Sequence, residues 1–292
     1  MPVAPGPTVD HLLRPAGGEM KFVSDQMASL GNAHRGGADC RQWQIAPAGL
    51  IYRSYLAGPK ESRLAAQWVH KADQGWIWDM TLGGRLGLVR YGTTNPDKPE
   101  GWQLDVEAAA MGRLGLEEPS NALQATDYRV GVPWTYGRGN HQVKLAFYHI
   151  SSHLGDELML QRPGVPRINY VRDAFVWGHS YYPAKDFRIY GEVGVAFNVD
   201  GGAKPWEFQF GTEYSPEGPT GARPRLFWAI NAHLRQDVDY GGNITFQVGL
   251  QWRGTSGNRM RFGMQYFTGK SDQYEFFDQF EDKIGFAFWY DY

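Results

Sequence analysis

Ile244-Thr245-Phe246-Gln247-Val248-Gly249-Leu250-Gln251-Trp252-Arg253 decides the fold. Its even-numbered residues are apolar and its odd-numbered residues are polar or glycine. Side chains of an extended strand alternate between two faces, so this segment has one greasy face and one wet face. The pattern recurs. Trp206, Phe208 and Phe210 oppose Glu207, Gln209 and Gly211; Met260, Phe262, Met264 and Tyr266 oppose Arg259, Arg261, Gly263 and Gln265. Trp102, Leu104, Val106 and Ala108 oppose Gln103, Asp105 and Glu107, and Tyr128, Val130, Val132 and Trp134 oppose Asp127, Arg129 and Gly131.

A β-sandwich also alternates, but two features favour a membrane barrel. The segments approach the roughly 9–11 residues that cross a bilayer at a tilt. Their apolar faces carry aromatics near the ends, as an interfacial girdle requires: Trp76, Trp78, Trp102, Trp134, Trp206 and Trp252. The predicted fold is therefore all-β, an antiparallel transmembrane up-and-down barrel of about twelve strands. These fall near 62–70, 76–91, 100–115, 122–136, 140–153, 167–181, 185–199, 205–215, 224–236, 242–254, 258–269 and 281–292. Tyr136–Asn140 and Gly254–Asn258 read as tight turns, and 154–166 and 268–280 as long loops. Residues 1–41, rich in Gly, Pro and Ala, read as a flexible N-terminal extension, and 42–292 as the barrel domain. Within it, Gln42–Leu56 is a lead-in segment broken by Pro47 and Gly49.

Composition is consistent with this reading. The 292 residues include 11 Trp, 16 Tyr, 16 Phe and 37 Gly, and Trp and Tyr concentrate where an apolar surface meets water. Mean hydropathy is -0.48; alternating strands average to neutral, so a barrel passes beneath any simple hydropathy filter. No run approaches the roughly 18 uncharged apolar residues of a spanning helix. Lys+Arg 29 against Asp+Glu 31 gives no basic patch for nucleic acid. The single cysteine, Cys40, excludes an internal disulfide. Met1-Pro2-Val3 leads into Pro, Gly and charges without the apolar core of an export signal. Export is required of a barrel, so the expectation is a processed form or a start site placed too late.

The chain ends Lys283-Ile284-Gly285-Phe286-Ala287-Phe288-Trp289-Tyr290-Asp291-Tyr292. This resembles the C-terminal strand of outer-membrane proteins, which ends in an aromatic and is read by the barrel-assembly machinery. Cys40–Arg63 (CRQWQIAPAGLIYRSYLAGPKESR), Ser151–Glu157 (SSHLGDE), Arg167–Tyr170 (RINY) and Tyr266–Ser271 (YFTGKS) resemble a bacterial family catalogued as domain of unknown function 1207. The resemblance covers about residues 40–292. It implies an envelope barrel in the outer membrane of a Gram-negative bacterium, with outer-membrane lipids and lipopolysaccharide as surroundings, and it implies no particular activity.

One stretch could carry chemistry. In Tyr148-His149-Ile150-Ser151-Ser152-His153-Leu154-Gly155-Asp156-Glu157, alternation puts His149, Ser151 and His153 on the row of Val143, Leu145 and Phe147. An imidazole and a hydroxyl would face lipid, which is costly unless they pair or work. The arrangement is similar to the H-x-S of outer-membrane phospholipase A and of the lipid A deacylase. That resemblance implies His149 as general base, Ser151 as nucleophile and Asn169, opening the next strand, as orienter of the imidazole. It also implies calcium near Asp156 and Glu157 in the intervening loop. The chain departs from both enzymes in having Ser152 where they have Asn.

The competing reading makes these residues rim groups bonding loop backbone or lipopolysaccharide. A third makes His149, His153 and Glu157 metal ligands, but their four-residue spacing suits a helix rather than a strand. Glu107, Arg129, Glu192, Glu207, Glu213, Arg235, Arg253 and Arg261 fall on the inner rows, where mixed charges pair as a polar filling. His179 and His233 read as structural. Three functions stand from the sequence: a barrel with a structural or narrow-pore role and no cofactor, a lipid acyl-hydrolase, and a soluble β-barrel holding an apolar ligand.

Overall fold

The computed structural model describes residues 40–292; the expected N-terminal extension falls almost entirely outside that range. Thirteen strands form one antiparallel sheet. They are β1 (Gln42–Ile45), β2 (Leu64–Lys71), β3 (Gly75–Gly92), β4 (Gly101–Gly115), β5 (Leu123–Arg138), β6 (His141–Leu154), β7 (Val171–Ala184), β8 (Phe187–Asp200), β9 (Trp206–Tyr214), β10 (Arg225–Arg235), β11 (Gly242–Arg253), β12 (Arg259–Lys270) and β13 (Phe280–Asp291). A short helix, α1 (Asp156–Gln161), lies between β6 and β7. Each strand from β2 to β13 pairs with its sequence neighbour, and β13 closes onto β2 through Leu64↔Tyr290 to Lys71↔Lys283. Twelve strands thus form a closed up-and-down barrel.

Gly139 and Asn140 alone join β5 to β6, with Gly139 in the left-handed region at φ 59°. A two-residue hairpin needs such backbone, and glycine adopts it without a Cβ clash. This turn marks the rim that also carries the chain's C-terminus, called here the lower rim. The long connections 155–170 and 271–279 lie together at the opposite, upper rim.

The distribution of side chains is inside-out. Leu82, Val132, Trp177, Phe246, Leu250, Phe262 and Phe286, spread over β3, β5, β7, β11, β12 and β13, all point outward and are exposed. The inner rows hold Arg85–Asp105 (2.5 Å), Arg129–Glu107 (3.0 Å), Lys144–Glu192 (2.5 Å), Arg188–Glu213 (3.1 Å) and Arg261–Asp291 (2.7 Å), buried except for the partly buried Arg129 and Glu192. Arg113 bonds Asp79, Asp272 and Glu281 at once. Buried charges persist only when paired and hydrogen-bonded; most of these pair across neighbouring strands, while Lys144–Glu192 spans from β6 to β8 and Arg113–Glu281 from β4 to β13. A continuous belt of exposed Leu, Phe, Val and Trp would aggregate in water; hydrocarbon is the solvent it suits.

The lead-in segment is more than a tether. β1 and β2 lie in line along one edge of β3: β1 pairs with residues 89–92 and β2 with residues 75–82. Between them residues 46–63 leave the wall and enter the lumen. Leu50, Ile51, Tyr52, Tyr55 and Leu56 are buried. Arg188 donates to the carbonyls of Arg53 (3.0 Å) and Ser54 (3.4 Å), and Arg261 to that of Leu56 (3.2 Å). The Leu56 N–H donates to Glu213 at 2.9 Å, and the Tyr55 hydroxyl to Glu192 at 2.8 Å. Lys60 reaches Asp127. The inner charges therefore hold a plug as well as each other.

From the upper rim, the 271–279 loop folds inward. Tyr274 packs against Tyr170 with tilted rings and centroids 4.6 Å apart, and Tyr170 donates to Asp237 at 2.7 Å. Burial pushes both phenols above the usual tyrosine range, so they remain hydrogen-bond donors.

Candidate functional site on the outer wall

β6 presents His149, Ser151 and His153 outward, on the row of Leu145 and Phe147, as its alternation dictates. Ser152 points inward and donates to Asp127. His149 is cross-strand partner to Asp173 on β7, and its Nδ1 lies 2.6 Å from Asp173 Oδ1. Asn198 on β8 donates to Asp173 Oδ2 at 2.7 Å. Both carboxylate oxygens of Asp173 are thus engaged by side chains from the two flanking strands. Immediately below, Phe147, Phe175 and Phe197 form a cluster with centroids 5.1–6.1 Å apart.

A bulge produces the third member. Asp173 pairs with Asn198 but Ala174 pairs with Ala196, so Phe197 is an extra residue. Strict alternation would turn Asn198 into the lumen; the bulge turns it out beside Asp173. Bulges re-aim side chains in this way and are frequent beside functional sites.

With Nδ1 held by the carboxylate, Nε2 of His149 is left to face its surroundings. Ser151, two residues on, is on the same face, and its cross-strand partners are Tyr128 and Val171. No hydrogen bond joins Ser151 Oγ to the ring among the described residues, and such bonds often tighten only when substrate binds.

Asn169 stands elsewhere. It precedes β7 in the left-handed region at φ 52°, its Oδ1 accepts from Arg167 at 2.7 Å, and its N–H donates to Glu275 at 2.9 Å. It anchors the upper loop, and the place at His149 Nδ1 belongs to Asp173. Asp156 is exposed at the start of α1, and Glu157 accepts the Leu123 N–H at 2.7 Å. Among the described residues no three His, Cys, Asp or Glu side chains converge on a common point. His153 packs by Tyr128, His179 faces His141 at 3.2 Å on the outer wall, and His233 meets Glu207 at 3.2 Å inside.

The sequence profile of one family spans residues 40–292, the whole of the barrel and its plug. The chain belongs to the family described as protein of unknown function DUF1207. No curated protein matches it. Among solved structures, this DUF1207 barrel is similar to outer membrane phospholipase A from Escherichia coli, with a TM-score of 0.49, 10% identity and coverage of 81% of this chain and 93% of that one. An active-site mutant of the same enzyme gives 0.49 and 10%, covering 80% and 91%. The KdgM porin gives 0.40 and 10%, covering 78% and 99%.

Proposed function

We propose that this protein is an outer-membrane barrel with a sealed lumen that hydrolyses acyl esters of membrane lipids on its outer wall. The observation that carries the reading is the His149–Asp173 contact of 2.6 Å, backed by Asn198, on a lipid-facing row two residues from Ser151. Polar groups at such a place are costly unless they serve a purpose.

In this reading the Asp173 carboxylate fixes the imidazole with its proton on Nδ1, leaving Nε2 basic. Nε2 takes the Ser151 proton as Oγ attacks the ester carbonyl, then returns that proton to the departing alcohol. Water enters by the same base and releases the fatty acid. The lipid environment is the substrate, which explains why the chemistry can stand on the wall while the lumen is filled.

The test is fatty-acid release from phosphatidylethanolamine and from lipid A by protein refolded in detergent, with and without calcium. Ser151→Ala should lower release by on the order of 10³-fold or more. Equal release by both proteins ends the hydrolase reading. A second reading, a purely structural envelope barrel, is favoured by the plug and its ion pairs, which leave the interior no free path. It predicts no release by either protein.

A further inference from the structure

On the outer face of β3 to β5 lies a groove of about 580 Å³, floored by Gly83, Ala108 and Ala110, flanked by Leu82 and bounded by Tyr292, whose ring lies over Gly84. Its position relative to His149 follows from register. Gly84 pairs with Ala108, Ala108 with Val130, and Val130 with His149; one step along, Leu82 pairs with Ala110, Ala110 with Tyr128, and Tyr128 with Ser151. Two adjacent rows therefore lead straight from the groove floor to the imidazole and the hydroxyl. Three strand spacings of about 4.8 Å make this roughly 14 Å.

The rows also descend. His149 lies five residues from the upper end of the 14-residue β6 and Ser151 three, whereas Gly84 is halfway down the 18-residue β3. A path that starts at the rim and ends at mid-depth of an apolar belt has the course of an acyl chain whose ester lies at the membrane surface. The floor is made of glycine and alanine, where the next row down carries Leu86 and Val106, so a chain can sink into the wall there.

We infer that this groove seats one fatty acyl chain of the lipid whose ester is presented to Ser151. The inference deepens the hydrolase reading, yet the groove can be tested without turnover. The protein carrying Ser151→Ala is placed in phosphatidylethanolamine vesicles holding a tracer phosphatidylethanolamine with a diazirine near the end of one acyl chain. After irradiation, adducts are mapped by peptide mass spectrometry. Labelling of the 82–86 and 106–110 stretches should exceed that of Val248 and Met264, on β11 and β12, by about tenfold. Ala108→Phe, which fills the floor from the lipid side, should abolish the excess; should that variant fail to fold, Ala110→Leu serves.

A parallel arm carries the probe on lipid A, and whichever lipid labels the groove names the source of the chain. Even labelling around the belt from both lipids, or an excess untouched by the filling variants, overturns the inference. Groove labelling by a protein that releases no fatty acid would remove the hydrolase and leave the groove.

Discussion

Replacing Arg188 by methionine should release the lumenal segment while leaving the wall folded. Arg188 is buried on β8 and donates to the carbonyls of Arg53 and Ser54 and to Glu213. Glu213 in turn accepts the Leu56 N–H at 2.9 Å. Methionine keeps much of the volume but removes every donor, and it leaves the Glu213 carboxylate buried without its cation. Breaking one side of a buried pair costs about 3–5 kcal/mol, and at 1.4 kcal/mol per tenfold the open plug becomes on the order of 10³-fold more populated. The readout is hydrogen exchange in detergent micelles. Amides of residues 50–58, Leu56 above all, should exchange faster by that factor, while β10 to β12 keep their protection. Uniform acceleration along the wall would mean that Arg188 supports the barrel rather than the plug. Unchanged exchange at Leu56 would mean that the plug does not depend on this ion pair at all.

Other consequences are as concrete. Phe286→Arg, on an exposed mid-strand position of β13, should lower folding stability in vesicles by about 2–4 kcal/mol, measured by denaturant titration; a cost near zero would place that row away from hydrocarbon. Asp173→Asn should cut fatty-acid release by on the order of 10³-fold or more while Asn169→Ala leaves it within about twofold, compared as kcat/KM; the reverse order would restore Asn169 as the orienter. In planar bilayers the wild-type protein should give no steady single-channel steps, because residues 50–63 and the Tyr274 loop fill the lumen; discrete steps from the unaltered protein would contradict a sealed interior.

The wall was legible because its signal is local. Alternation within each segment fixes which residues face out, and the twelve predicted ranges match β2 to β13 to within a few residues. The plug was not, since its partners are remote: Arg188 meets Arg53 from 135 residues away and Arg261 meets Leu56 from 205, and Leu50–Arg63 shows no period of its own. At the candidate site, His149 and Ser151 follow from alternation. Asp173 is equally readable, as a carboxylate on the row of Val171, Phe175 and Trp177. Asn169 misleads because the row is extended past the start of β7 into backbone at φ 52°, where alternation has no meaning. Asn198 could not be read at all, because the bulge at Phe197 inverts its side.

Plug and groove have one origin. β1 and β2 occupy the two ends of the same edge of β3, and the chain between them turns inward. Residues 83–88 of β3 are therefore left without a strand partner on that side, apart from the Ala46 N–H at the Leu88 carbonyl. Unpaired backbone at the depth of hydrocarbon costs several kcal/mol per group unless it is covered. The covers are side chains: a Cβ on Gly84 would stand 2.9 Å from the Tyr292 ring, and one on Gly87 2.9 Å from the Pro47 ring. Glycine at both places lets those rings close down on the backbone. A chain that continued along β3 from residue 46 would complete an ordinary strand, and would leave a smooth wall and an emptier lumen. By turning inward it fills the interior and opens a depression on the lipid side, in line with His149 and Ser151. Sealing the lumen and shaping the outer surface are thus two results of one detour. A change that loosens residues 46–63 should be felt in the groove as well as in the plug.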